Sequence, residues 1–252
     1  MNIKVFTMTH KDFEFHKSAD RSVYIPLHVG RALTQYAGRE THEPGRRDDN
    51  VSPFQVLVSD IAGDDTGDNI SGKNLSFCEL TGLYWVWKNA DCDVAGMAQY
   101  RRFFIEGNNN DILSGESMQN LLSKHDMLIS AGEFVAEKSV RANYEKWHHI
   151  RDLELTEEAI GRLYPKDLPS FELAMSSRLF SGGNLFIAKK EVFDEYCKWL
   201  FDILFEVEKY ADLSGYDDYQ KRLYGFLSER LIRVFALARK YCVGEMRVGI
   251  LN

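Results

Sequence analysis

Two adjacent arginines close an apolar run in Val94-Ala95-Gly96-Met97-Ala98-Gln99-Tyr100-Arg101-Arg102-Phe103-Phe104. In an α/β protein, ligands collect at the carboxyl ends of sheet strands. Arg101 and Arg102 therefore stand where an anion such as a phosphate would be held. Side chains alternate along a strand, so a strand that continues through this stretch turns only one arginine toward a ligand. A chain that turns there can present both, and an exposed edge or a surface ion pair is the alternative use of the pair.

Other residues could share such chemistry. A polar stretch, residues 63–74, leads into a helix expected over residues 78–88, where Leu80, Leu83, Tyr84 and Trp87 recur at helical spacing. The free N–H groups and positive dipole end of a helix attract anions. Ser71 or Asn74 could cap that helix and Lys73 adds charge, although a capped loop without a ligand uses the same residues. Asp64, Asp65 and Asp68 lack the spacing of an EF-hand loop; they suit sugar or ribose hydroxyls, or an Asx-rich turn. Asp91-Cys92-Asp93 offers hard oxygen ligands but precedes its strand, at the end away from the expected cleft, and reads as a solvated turn. Ser181-Gly182-Gly183-Asn184 would let backbone approach a ligand closely. His148 and His149 diverge by about 100° on a helix, so both cannot easily hold one ion. His149 is a candidate sugar or acceptor contact; a surface or capping role is the alternative.

These residues need a scaffold. Strand-like runs occupy residues 3–8, stopping at Thr9-His10-Lys11, then residues 54–58, 94–100, 127–130 and 185–188. Residues 41–50, with Pro44 and Gly45, read as an exposed loop. Residues 133–181 are mostly helical in pattern, with breaks at Pro165 and Pro169. Residues 190–209 put Phe193, Tyr196, Cys197, Leu200, Phe201 and Leu204 on one helical face, and a last helix spans residues 219–239. Alternating strands and helices predict an α/β sheet with helices on both faces. No linker or repeat divides the chain, so residues 1–252 are expected to form one domain.

The composition narrows the partners. A net charge of −7 argues against nucleic acid or an anionic membrane as a general partner, since both need a large cationic face. Four dispersed cysteines without CxxC spacing fit a reducing compartment and no structural zinc. The first residues enter a strand without a signal-peptide pattern. No apolar segment approaches the ~20 residues that span a bilayer. The expectation is a cytoplasmic protein with at most peripheral contact at the inner face of the plasma membrane.

Taken together, the segments resemble the DUF4422-type bacterial glycosyltransferases of capsule, O-antigen and exopolysaccharide loci, some of which are galactofuranosyltransferases. The resemblance rests on Thr9-His10-Lys11, Tyr24-x-Pro26-x-x-Val29-Gly30, Asp65-Thr66-Gly67-Asp68-Asn69-Ile70-Ser71, Asn74, Cys78-Glu79-Leu80-Thr81, Tyr84-Trp85-x-Trp87-Lys88-Asn89 and Tyr100-Arg101-Arg102-Phe103. It resumes at Gly183-Asn184-Leu185-Phe186-Ile187, Tyr196-x-x-Trp199-Leu200-Phe201 and Arg222-x-x-Gly225-Phe226-Leu227-Ser228-Glu229-Arg230-Leu231. It implies a GT-A-type fold, Rossmann-related, with a central mixed sheet flanked by helices and a donor cleft at the strand ends.

On that resemblance, His10, Lys11, Tyr24, Gly30, Ser71, Lys73, Asn74, Glu79, Gln99 and Tyr100 would lie along a UDP-sugar donor. Asp65, Asp68, Gly182, Gly183, Asn184 and His149 would meet the transferred sugar or the acceptor. The GT-A plan places a metal-binding Asp-x-Asp at the end of the strand that here finishes in Gln99-Tyr100-Arg101-Arg102. A manganese or magnesium ion thus has no such ligands at that place, and no metal residue is assigned. Arg101 or Arg102, with Lys11 or Lys73, would offset the charge of the leaving diphosphate instead. An inverting transfer needs a carboxylate base, for which Asp218 and Glu229 are the candidates; a retaining one does not. The implied function is transfer of a hexose, galactofuranose or galactose, to a lipid-linked or oligosaccharide acceptor. A binding module that has lost catalysis and a phosphohydrolase built on Asp64, Asp65 and Asp68 are the competing readings.

Overall fold

A computed structural model describes residues 1–38, 52 and 54–251. The exposed loop expected over residues 41–50 lies outside the described residues. In chain order the strands are β1 (Ile3–Thr9), β2 (Phe13–Glu14), β3 (Tyr24–His28), β4 (Gln55–Val56), β5 (Val94–Gln99), β6 (Arg102–Glu106) and β7 (Asp111–Ile112). They continue with β8 (Met127–Ser130), β9 (Glu133–Phe134), β10 (Leu179–Phe180), β11 (Phe186–Lys189), β12 (Val243–Met246) and β13 (Val248–Ile250). The helices are α1 (Asn74–Phe77), α2 (Leu80–Asn89), α3 (Gly115–Leu122), α4 (Val140–Trp147), α5 (Ile150–Leu163), α6 (Leu168–Ser176), α7 (Lys190–Glu208) and α8 (Leu223–Arg239).

The main sheet runs β12-β8-β11-β5-β1-β3, and β6 joins it to β7 and β13. β1 pairs in parallel with β3 and β5, and only β11 in that row runs against its neighbours. Because both faces are covered, β1 and β5 read as nearly continuous apolar runs rather than alternating ones. Phe6 and Met8 of β1 face the helices α2 and α4–α8, whereas Val5 joins α3, β6 and β7 in a second core. β3 is the edge strand of that row, parallel to β1, and the sequence pattern does not announce it because Pro26 interrupts it; a sheet tolerates proline at such an edge. The strand expected over residues 54–58 is only the two residues of β4, paired with β2.

The directions of the strands assemble the cleft. β1 and β5 end at the same edge, at Thr9 and Gln99. β11 is antiparallel to β5, with Phe186 opposite Met97, so the loop that precedes β11 arrives at that same edge. Gly183 (φ 89°) and Asn184 (φ 57°) both adopt the left-handed backbone in this loop. Glycine does so freely, while asparagine is one of the few side chains that tolerates it. Asp91 and Asp93 sit at the opposite end of β5, where the Asp93 carboxylate accepts from the Asn2 amide at 2.6 Å; the expected solvated turn is what the structure shows.

Gly30 is also in the left-handed region (φ 68°), and a Cβ there would come within 2.5 Å of the Asn74 side chain. Gly30→Ala is therefore expected to cost about 2 kcal/mol or more, from backbone strain of roughly 1–2 kcal/mol plus displacement of Asn74. Urea unfolding of the variant checks this, as a lowered midpoint with unchanged slope.

Candidate active site

The arginine pair sits on a hairpin. β5 stops at Gln99, Tyr100 and Arg101 form the turn, and Arg102 opens β6 opposite Gln99. The chain therefore turns where side-chain alternation alone left the question open, and both arginines border one cleft of about 730 Å³. That volume is in the range of small-ligand sites. The cleft is formed by the ends of β1 and β5, by α1 with the turn before α2, and by the first turns of α8.

Of the residues expected at a donor, His10, Asn74, Glu79, Gln99, Tyr100, Arg101 and Arg102 line this cleft, and so do Asp218 and Glu229. The His10 ring meets Tyr100 edge-on at 5.6 Å. Burial, with Lys11, Arg101 and Arg222 nearby, holds the His10 pKa below its usual value and favours the neutral ring. The positive charge of the cleft is carried by guanidinium groups. Lys11 lies beside the cleft, its ammonium 5.3 Å from the centre of the Tyr100 ring.

Glu79 organises the floor. Its Oε1 accepts from Gln99 Nε2 at 3.2 Å and from Asn184 Nδ2 at 3.0 Å. Gln99 also donates to the Gly183 carbonyl at 2.9 Å, and its Oε1 accepts from Arg102 at 2.9 Å. Asn184 donates to the Gly225 carbonyl at 3.3 Å and accepts from the Ser228 hydroxyl at 2.8 Å. One carboxylate thereby ties the end of β5, the glycine loop and α8 together. Gly183 and Asn184 are brought to the site; Gly182 packs against the Phe180 ring beside them.

Glu229 faces the same space. Its Oε1 accepts from the Gly183 amide at 2.9 Å and its Oε2 from Arg230 at 2.9 Å. Burial pushes its pKa above the ordinary carboxylate value, with Arg230 pulling the other way. Asp218 lies at the rim with a wholly exposed carboxylate that pairs with Lys221 at 3.1 Å. Both are within the cleft lining, but only Glu229 is held in place.

Several expected residues are turned elsewhere. The Tyr24 hydroxyl is buried and donates to the Leu113 carbonyl at 2.8 Å, with its ring against Phe103 in the second core. The Gly30 amide donates to Asp64 at 2.9 Å, and Ser71 gives its hydroxyl to that same buried carboxylate. Lys73 pairs with Glu208, and Asp65 accepts from the Gly38 amide at 2.9 Å. Asp68 accepts from the Tyr84 hydroxyl at 3.1 Å. His149 is exposed and stacked on Tyr216 at 4.1 Å. Each has a tertiary partner distant in sequence, which no local pattern encodes. The expected helix start also moves: Cys78 has φ 51°, so α1 ends before it and α2 begins at Leu80. Asn74 spans the break, donating to the Cys78 carbonyl at 2.7 Å and to Thr81 Oγ1 at 3.0 Å. Asp64, fully buried among structural donors, gives no support to a phosphohydrolase site.

Arg222 and Phe226 stand in the Arg222-x-x-Gly225-Phe226 motif, which by itself gives them no role in the site. Arg222 lines the cleft with its Nε 3.4 Å from the Cys78 sulfur, and Phe226 lies beside it. Arg222, Phe226 and Glu229 are four and three residues apart, the spacing that puts side chains on one helical face. That periodicity is the signal that could have found them. Among the described residues, Arg101, Arg102 and Arg222 have no carboxylate within ion-pair distance.

The family resemblance sets the end of β5 where the GT-A plan has its metal-binding Asp-x-Asp. Gln99 and the two arginines hold the place of Asp-x-Asp, and the Gln99 amide is committed to Glu79 and Gly183. Among the described residues no group of three His, Cys, Asp or Glu side chains is placed to hold a metal ion. Nor, among them, is any helix long and apolar enough to cross a membrane.

A mixed sheet with one reversed strand beside β5 and its cleft at the strand ends is the GT-A-like class of glycosyltransferase fold. The apo structure of WbbM, a bifunctional glycosyltransferase, matches it with a TM-score of 0.82 at 27% identity, over 100% of this chain and 46% of WbbM. This chain thus spans less than half the length of that protein. The family described as "Domain of unknown function (DUF4422)" matches residues 4–240, and the chain belongs to that family. No curated protein sequence matches it.

Proposed function

We propose that residues 1–252 form one glycosyltransferase unit, which moves a hexose from a UDP-sugar to a lipid-linked or oligosaccharide acceptor of bacterial surface polysaccharide. The observation that carries the reading is the trio Arg101, Arg102 and Arg222, which among the described residues have no carboxylate within ion-pair distance and line the cleft that also holds Glu229. Guanidinium groups gathered around one cleft suit a diphosphate, which they can grip bidentately. The choice of galactofuranose or galactose rests on the family resemblance alone.

In this reading the donor lies across the ends of β1 and β5, with His10, Lys11, Tyr100 and Asn74 along the nucleotide. Glu79 and Asn184 meet the sugar. An acceptor oxygen forms the new bond to the anomeric carbon as the bond from that carbon to the diphosphate oxygen breaks. The acceptor proton passes to Glu229, and the electron pair left on UDP is offset by the arginines.

Thermal-shift screening against UDP, GDP, CDP and their sugars, with and without manganese, tests the assignment. A ligand that binds only the folded chain raises its apparent stability by mass action. UDP and its sugars are expected to raise the Tm with or without manganese, with GDP and CDP doing less. UDP binding without transfer would favour a glycan-binding module that has lost catalysis; no response to any nucleotide would overturn the reading.

A further inference from the structure

Past Arg222 the cleft opens onto a surface of packed aromatic rings that donor chemistry does not use. Phe226 lies 4.1 Å from the His148 ring at 27° and 5.0 Å from Tyr219. His148 and Tyr219 are nearly parallel, 6.0 Å apart. Gln220 fastens the array, donating to the Trp147 carbonyl at 2.9 Å and meeting His148 Nδ1 at 3.2 Å. Tyr219 is 53% exposed, so one end of this strip presents an aromatic ring to solvent beside the cleft. Phe226 and His148 are half-buried beneath it, so the strip offers one open ring on a packed aromatic base.

We infer that this strip is the acceptor subsite, with the terminal sugar of a glycan against Phe226 and the next against Tyr219. The inference rests on the transferase reading above. Its main support is continuity: Phe226 and Glu229 share one face of α8, three residues or about 4.5 Å of helical rise apart. A sugar ring lying on Phe226 therefore brings a hydroxyl to the carboxylate that is to take its proton. At the rim the exposed Asp218 pairs with Lys221, and Arg222 lies 5.5 Å from the centre of the Phe226 ring, so acceptors and donors for sugar hydroxyls border the rings. Flat rings edged by polar groups fit the mixed faces of a sugar better than an alkyl chain.

Titration of the UDP-loaded protein with the methyl and octyl glycosides of a digalactoside, followed by calorimetry or saturation-transfer NMR, tests this without requiring turnover. Tyr219→Ala is expected to weaken both glycosides about tenfold, the worth of one good aromatic contact. Tyr219→Phe should bind within about twofold of the parent, since the ring and not the hydroxyl is at work. Tyr210→Ala, an equally exposed tyrosine against Arg162, should change nothing. Equal binding by Tyr219→Ala, no binding by the parent, or a loss confined to the octyl glycoside would each overturn the subsite. Failure of the transferase reading shows separately, as no thermal response to UDP.

Discussion

Glu229→Gln is expected to lower kcat for sugar transfer by about 10²- to 10⁴-fold, the usual worth of a positioned general base, while UDP still raises the Tm. The amide keeps an oxygen for the Gly183 N–H, and Arg230 keeps the Phe226 carbonyl at 3.0 Å and Asn143 at 3.5 Å. The variant therefore keeps these hydrogen bonds and loses the ability to take a proton together with the charge that faces Arg230, so its Tm without ligand is read alongside kcat. Asp218→Asn, in contrast, should change kcat by less than about threefold, since an unfixed exposed carboxylate lacks the geometry a base needs. The two substitutions separate the candidates that sequence alone leaves side by side. The pH profile follows from burial of the carboxylate. A base works when deprotonated, so kcat should fall as pH drops through the Glu229 pKa, which lies above the ordinary carboxylate value. The limb should vanish in Glu229→Gln; an unchanged limb would move the base elsewhere.

Arg222→Met is expected to lower kcat/KM for the UDP-sugar by about 10²- to 10³-fold, comparable to removing one preorganised donor from a developing charge. Methionine keeps an unbranched apolar stem but removes the guanidinium, which lies 5.5 Å from the centre of the Phe226 ring and donates from Nε to the Cys78 sulfur at 3.4 Å. Arg222→Lys should recover only part of this, since an ammonium cannot reproduce a planar, bidentate grip. Arg102→Ala is expected to act in the same direction and also to release Gln99, whose Oε1 it holds. A normal rate in Arg222→Met would show that the diphosphate lies away from α8. Initial-rate kinetics over a range of donor concentrations decide it.

Much of the scaffold is readable from the chain. The apolar runs that become β1, β5, β8 and β11, and the faces of α7 and α8, carry their periodicity locally. β3 is obscured by Pro26, and Cys78 breaks a pattern that reads as one continuous helix start. The candidate site is legible where it lies at strand ends, as at His10, Gln99, Arg101 and Arg102. It is illegible where a residue is used by a distant partner: Gly30 serves Asp64, Ser71 accepts from the Ala32 amide, Tyr24 serves Leu113, and Lys73 serves Glu208. The same holds in reverse for Arg222, an ordinary helix-start cation in sequence that the packing of α1 against the start of α8 turns into the cleft.

The arginine hairpin thus occupies the place where the GT-A plan keeps acidic metal ligands, and the proposed chemistry depends on that exchange. Initial rates of transfer from a UDP-sugar, measured in a large excess of EDTA and again with added manganese, test it most directly. Arginine-borne stabilisation predicts the same rate in both. Activity abolished by EDTA and restored by manganese would contradict it.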